Sequence, residues 1–399
     1  MTFPTRLPIP DEVLEIARRL DEAGHEVWCV GGAIRDALLR EREAGAGLDP
    51  ADLDFATSAT PDQVQALFRR TVGVGIKHGT VGVLDRRRAL HEVTTFRRDV
   101  TTDGRHAVVV FGVSLEDDLA RRDFTINAIA YHPLRHDWRD PFGGAGDLAR
   151  GVIRAVGDPA ERFREDYLRI LRAVRFAARF DFQIDPPTWA AARAAAPGLT
   201  QLSAERVRDE WFKGLRTARS IARLVQLWQE VGAAAEWLPQ LGATHSGGEA
   251  DRTPRDPVLL TALLLSDAAA GLRRLRASNA EIARAEAMAR GPAAPAAETP
   301  EGIRRWRSAV GDAVDDLIVL WRLRHGAEPP WGAAVAESRA QREPVSRADL
   351  ALNGNDLVAL GVPRGPRIGE MLDLLLDRVL ADPSLNTKET LTAVGRTLL

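Results

Sequence analysis

The chain has 399 residues, 45% hydrophobic and 28% charged, a length that calls for two or more compact domains with ample core. Its 54 basic and 56 acidic residues leave a net charge of −2, so there is no global positive field, and a nucleic-acid partner would have to be held by a local basic surface. A single cysteine, Cys29, excludes a disulfide framework and a cysteine-based metal cluster.

The only lysines are Lys77, Lys213 and Lys388. Arginine suits planar, bidentate phosphate contacts, although a base-composition bias gives the same enrichment. The longest uncharged apolar stretch, Pro257 to Ser266, is about half of what a bilayer span requires. The start, MTFPTRLPIPDEV, lacks the basic and apolar regions of a signal peptide. The expectation is a cytoplasmic protein with no membrane partner; no protein partner can be inferred.

In chain order, DEVLEIARRLDEAG over 11–24 has helical apolar spacing and a glycine stop. HEVWCVGG then reads as a strand running into a double glycine, and AIRDALLR as the helix that follows. LDFATSA is a second strand, and TPDQVQALFRR a helix with Thr60 as N-cap and Pro61 at its first position. Two more strands follow, GTVGVLD and ALHEVTTFR, parted by the charged turn DRRRA. The stretch 98–106 reads as a loop, and RRDFTINA as the start of a helix with apolar face Phe124, Ile126, Ile129 and Ala130. Beyond Gly157 strand signals almost vanish. ERFREDYLRILRAVRFAARF reads as one long helix, and IARLVQLWQEVGAAAEWL and VDDLIVLWRLRHG are also helical. Residues 242–255 and 291–300 read as loops. No repeat of fixed period is present. The fold class expected is α+β: a head with a mixed β-sheet over residues 1–155, a helical neck over 156–240, and a helical body and tail over 241–399.

Two places carry chemistry. At Val30-Gly31-Gly32-Ala33-Ile34-Arg35-Asp36 a strand ends in two glycines and turns directly into a helix. Such a turn leaves backbone N–H groups free to face an anion, and the helix dipole adds partial positive charge. Arg35, one turn in, could reach the same phosphate; the plainer alternative is a tight turn with a surface arginine. At Asp52-Leu53-Asp54 two carboxylates stand two apart on a strand and so share a face. Side by side they repel unless a cation lies between them, which suggests a hard divalent metal with oxygen ligands; alone, the pair could be a solvated strand edge. The order favours the first. A phosphate-type turn followed by a carboxylate pair on the next strand is the arrangement that phosphoryl transfer needs.

GGAIRD, the Asp-x-Asp of DLDFATSATP, RRDFTINAIAY at 121–131 and EDYLRILRAVRF at 165–176 together resemble, in order, the motifs of the class II tRNA nucleotidyltransferases. These comprise the CCA-adding enzymes and related bacterial poly(A) polymerases, within the DNA polymerase β-like superfamily. With DPFGG at 140–144 and SAERVRDE at 203–210 the resemblance covers roughly residues 25–215, and GVPRGPRIGEML at 361–372 resembles the family's tail.

The resemblance implies that Gly31, Gly32 and Arg35 hold a triphosphate, and that Asp52 and Asp54 bind two Mg2+ ions, with Glu92 as a candidate third carboxylate. It implies that Arg122 contacts the incoming nucleotide; Asn127 is either part of that motif or a structural hydrogen bonder. It implies that Asp166 and Arg169 present hydrogen bonds to a base, while Arg172 and Arg175 bind phosphates or the base's far edge. The bland reading of this stripe is a solvated arginine face. The segment Glu41–Leu48 lengthens the connection before Asp52, and a loop of this length is easily absorbed. Only His245 and His325 lie in the C-terminal half, so the metal-dependent phosphatase domain of some relatives is not expected. The stretch Arg98–His106 resembles a loop kept by enzymes that add the terminal adenosine; the plainer alternative is a β-hairpin connection. The implied activity is CTP- and ATP-dependent building of the tRNA 3′ CCA end without a nucleic-acid template. The alternatives are a poly(A) polymerase or A-adding enzyme, and a catalytically inactive RNA-binding protein; the adjacent Asp52 and Asp54 argue against the last.

Overall fold

The computed structural model describes residues 3–42, 53–102, 107–241 and 254–398. Contacts divide the chain into two compact units, Met1–Trp237 and Leu238–Leu399.

The first unit is built on a seven-stranded mixed sheet. Helix α1 (Asp11–Glu22) leads to β1 (Val27–Val30), α2 (Gly32–Arg42), β2 (Asp54–Thr57) and α3 (Pro61–Leu67). Thr60 caps α3 in a full capping box with Gln63, as its sequence requires. Three strands follow: β3 (Thr71–Gly75), β4 (Thr80–Leu84) and β5 (Leu90–Thr95). The first of these was not foreseen, because the glycines of TVGVG obscure its alternation. A ribbon of β6 (Arg97–Thr102) and β7 (Ala107–Phe111) comes next, then α4 (Leu115–Ala120), β8 (Ala130–Tyr131) and β9 (Trp138–Arg139). The sheet order is β3-β4-β5-β2-β1-β8-β9. Strand β2 runs antiparallel to β1 and parallel to β5.

Each sheet face has its own cover. Phe55, Val81, Val83 and Val93 are buried on the side of α1 and α3, which touch β1, β4 and β5. On the other side Trp28, Val30, Ala56 and Phe96 pack with Leu115 and Leu119 of α4 and with Ala128 and Ala130. That second cover is partial, and Asp54, at the N-terminal end of β2, is exposed beyond it.

Three expectations are corrected in this part of the chain. First, RRDFTINA is not an α-helix. The Asp123 carboxylate takes the Phe124 amide, Phe124 is extended and bridges Ala155, and only one 3₁₀ turn forms at Thr125–Asn127 before Ala130 joins β1. Tertiary pairing overrides the apolar spacing. Second, the long helix is broken into α6 (Pro159–Glu165) and α7 (Leu168–Phe180). At the break Asp166 is extended, and its carboxylate accepts the Leu168 amide at 3.0 Å, a local bond that competes with the helix. Third, 98–102 are not loop but strand β6, which pairs with β7 as the hairpin alternative has it; 103–106 lie outside the described residues. Strand β2 begins at Asp54; Asp52 and 43–51, on which the carboxylate-pair and longer-connection expectations fall, lie outside the described residues.

After β9 come α5 (Gly144–Arg150) and a small parallel pair, β10 (Val152–Ile153) and β11 (Gln183–Ile184). Helices α8 (Pro186–Ala195), α9 (Ala204–Thr217), α10 (Ile221–Glu230) and α11 (Ala233–Trp237) complete the unit. The last two, read as one helix, part at Gly232, whose φ of +86° no helix accommodates.

Every described element of the second unit is helical, the longest being Pro366–Ala381. Met371, Leu375, Val379 and Leu391 form one of its cores. No helix among the described residues is long and apolar enough to cross a membrane.

Gly144 opens α5 directly against the 3₁₀ turn at Thr125–Asn127. A β-carbon there would overlap the Thr125 carbonyl oxygen and come within 2.8 Å of its carbon, both backbone atoms that cannot rotate away. Gly144→Ala is expected to destabilise the protein by ~1–3 kcal/mol, read from the denaturant midpoint. Wild-type stability would show that α5 can shift without cost.

Candidate active site

Strand β1 delivers the chain to Gly31, whose φ is +80°, and α2 starts at the next residue. Because Val30 pairs with Asp54, the glycine turn and the carboxylate emerge side by side from the sheet. There they border a cavity of about 590 Å³. Gly31, Gly32, Arg35, Asp54, Arg122, Asp166, Arg169, Arg172 and Arg175 all line it. Glu92 does not. It is exposed on the neighbouring strand, and the register of Phe55 with Val93 sets it on the same face as Asp54.

Most of the arginines are already engaged with protein groups. Arg35 is 3% exposed; it donates to Asn127 Oδ1 at 2.6 Å and to Asp36 Oδ1 at 2.8 Å, and lies over the rings of Phe176 and Phe180. Its guanidinium is therefore largely engaged by protein groups. Asn127 in turn donates to Asp123 at 2.9 Å, so it is a structural bridge, and it also lines the cavity. Asp123 also accepts from Arg172 Nε at 2.7 Å and from the Phe124 amide at 2.8 Å. Burial by itself would raise the Asp123 pKa, but the charge of Arg172 and these hydrogen bonds outweigh it and bring it down to about 2. Arg175, 7% exposed, donates to Glu210 Oε2 at 2.6 Å and stacks 4.2 Å from the Phe176 ring centroid. Arg172 keeps a third of its side chain exposed and is the stripe's most accessible member toward the cavity after Asp123 is satisfied.

Asp166 and Arg169 are not successive turns of one helix, because the break falls between α6 and α7. Asp166 accepts from Arg206 at 2.7 Å as well as from Leu168. Arg169 donates to Glu165 at 2.5 Å and to the Arg121 and Arg162 carbonyls. Both nevertheless face the same cavity.

Asp118 went unnoticed in the sequence. Fully buried, it takes Arg121 at 2.8 Å and Arg122 at 3.1 Å, and the burial that would raise its pKa is outweighed by those two charges, which lower it. Its spacing of three and four residues before RR is the signal that could have revealed it. Arg121 is thereby held at the cavity wall. Glu210 lay within a quoted motif but had no assigned role.

The chain is similar to known proteins along most of its length. Residues 27–154 match the poly A polymerase head domain, 181–243 the RNA and SrmB-binding site of polymerase A, and 258–394 the tRNA nucleotidyltransferase domain 2. A CCA-adding enzyme of Limosilactobacillus fermentum is 35% identical over 404 residues, spanning 96% of each chain. The CCA-adding enzyme of Geobacillus stearothermophilus is also 35% identical, over 96% of this chain and 95% of that one. The chain belongs to the CCA-adding enzymes.

Likeness to this family runs through the C-terminal half as well, beyond the 25–215 expected from motifs. The crystal structure of the Bacillus stearothermophilus CCA-adding enzyme in complex with CTP superposes with a TM-score of 0.79, at 33% identity over 97% of both chains. The Thermotoga maritima CCA-adding enzyme, solved in complex with tRNA, shares the fold at 20% identity and a TM-score of 0.61. The CCA-adding enzymes are metal-dependent nucleotidyltransferases. The donors that Asp54 and Glu92 offer are carboxylate oxygens alone, which suit a hard cation.

The Asp123 network gives a pH signature. Its folded pKa, about 2, lies below the ordinary 3.8, so its contribution is present above about pH 4 and lost as pH falls toward 2. The stability advantage of wild type over Asp123→Asn is expected to shrink by ~2 kcal/mol across that window. An advantage independent of pH would mean that Asp123 is not the charged member of the network.

Proposed function

We propose that this protein builds or repairs the 3′-terminal CCA of tRNA from CTP and ATP, without a nucleic-acid template, transferring each nucleotidyl group to the RNA 3′-hydroxyl with release of pyrophosphate. The observation that carries the proposal is the single cavity uniting the Gly31–Gly32 turn, Asp54 and the arginines of α7, in a chain similar along almost its whole length to CCA-adding enzymes.

The amides of Gly31 and Gly32 and the start of α2 receive the triphosphate, and Arg35 adds positive field from below. Arg122, held by Asp118, approaches the glycine turn: a β-carbon on Gly31 would lie 3.4 Å from its Nη1. Asp52 and Asp54, with Glu92 beside them, would hold two Mg2+ ions. Such ions neutralise the triphosphate and ease deprotonation of the attacking hydroxyl. Residues 1–155 supply this chemistry, 156–240 the base and RNA contacts, and 241–399 further tRNA contacts. The place of action is the cytoplasm.

Base choice falls to Asp166 and Arg169. Cytosine and adenine both present an amino donor beside a ring-nitrogen acceptor; uracil and guanine present the reverse. A carboxylate that only accepts and a guanidinium that only donates match the first pair. Leu168 and Arg206 occupy two of the roughly four acceptor positions of Asp166, which leaves capacity for a base. Arg172 and Arg175 bind phosphate or the far edge of the base.

The test is incorporation of each single nucleotide into tRNA lacking CCA and into tRNA ending in CC. Wild type is expected to add C to the first and A to the second, and to reject U and G at least ~tenfold. Addition of A to both would favour a poly(A) polymerase. Asp54→Ala is expected to abolish all incorporation with the fold intact. Asp166→Ala should lower use of CTP and ATP and relax exclusion of UTP; unchanged discrimination would remove Asp166 from base selection.

A further inference from the structure

Val72, Val74 and Leu90 are 41–46% exposed, and they gather toward one edge of the head sheet. Strand register shows where they point. Val72 pairs with Gly82, Gly82 pairs with Glu92, and the parallel register of β2 and β5 sets Asp54 beside Glu92. Paired residues share a face, so Val72, Gly82, Glu92 and Asp54 form one row across four strands. Leu90, two residues before Glu92, shares that face. A β-carbon on Gly82 would come within 2.7 Å of Leu90 and 2.8 Å of Val74. These two side chains therefore close over a bare strand and make an apolar shelf that begins about 5 Å, one strand spacing, from Glu92.

Scattered exposed apolar residues need no explanation, but a contiguous patch on an edge strand is a liability unless something uses it. The sheet order indicates the user. Strands β1 and β5 flank β2 on opposite sides. The glycine turn and the arginine cavity lie on the β1 side, so the triphosphate fills that side and the hydroxyl that attacks must arrive over β5. An RNA end arriving there brings apolar base and ribose faces, which suit Val74 and Leu90, and phosphates, which suit exposed Lys77 in the turn that follows β3.

We propose that the β3–β5 shelf seats the last nucleotides of the RNA acceptor, with base and ribose faces on Val74 and Leu90 over Gly82 and the 3′-hydroxyl directed to Glu92 and Asp54. This rests on the nucleotidyl transfer to RNA argued above.

The test uses the full-length protein and a short acceptor-stem RNA ending in CC, with ATP. The double variant Val74→Ser/Leu90→Ser is expected to raise KM for the RNA roughly tenfold, the equivalent of ~1.4 kcal/mol of lost apolar contact, with KM for ATP within twofold of wild type. Leu90→Met with Val74→Ile, which keeps the shelf apolar, should retain the wild-type KM for RNA. An unchanged RNA KM in the serine variant overturns the proposal. So does an unchanged RNA KM accompanied by loss of a dimer in light scattering, which would assign the edge to a second copy. Failure of wild type itself to extend the RNA would instead overturn the functional reading beneath it.

Discussion

Charge buried between the head sheet and α7 is the constraint on which the site depends. Arg35, Asn127, Asp123, Arg172, Glu210 and Arg175 form a continuous chain of hydrogen bonds and ion pairs, the longest being Arg172 to Glu210 at 3.9 Å. Removing one partner from such a chain leaves an uncompensated charge out of water, a cost of roughly 3–5 kcal/mol, whereas the intact chain satisfies every member. The chain also crosses the fold, tying α2 and the 3₁₀ turn at Thr125–Asn127 to α7, and α7 to α9. The cavity wall on the α7 side is therefore positioned by electrostatics on the head, and the glycine turn and the α7 arginines are held in one frame.

A second clamp works beside it. Asp118 gathers Arg121, Arg122 and the backbone amide of Arg97 at the base of the β6–β7 ribbon. One buried carboxylate thus links the ribbon to two of the arginines that line the cavity. Electrostatic preorganisation of this kind lets donors meet a triphosphate without reorganising when it binds.

Much of this was legible in the sequence, for definable reasons. The strand, double glycine and helix at 27–42, the Thr60 cap and the helical second half follow from local rules, and the motif residues of the cavity were named from their order along the chain. What escaped was set by contacts between distant residues. RRDFTINA has helical apolar spacing, yet Asp123 and the Phe124–Ala155 bridge hold it extended. The arginine stripe of α7 looked continuous with Asp166, yet the Asp166 carboxylate breaks the helix by binding an amide two residues on. Asp118 and Glu210 have no motif chemistry of their own; their roles come from the arginines they hold. The β3 edge was hidden by glycine, and its apolar residues acquire meaning only through a register that runs to Asp54.

The account stands most directly on the coupling between Asp123 and Arg172. A double-mutant cycle with Asp123→Asn and Arg172→Gln, read in both unfolding free energy and CTP affinity, should give a coupling of ~2 kcal/mol in stability, with CTP affinity falling in each single variant and little further in the double. Effects that add within ~0.5 kcal/mol would contradict it, and would mean that α7 is positioned by apolar packing alone.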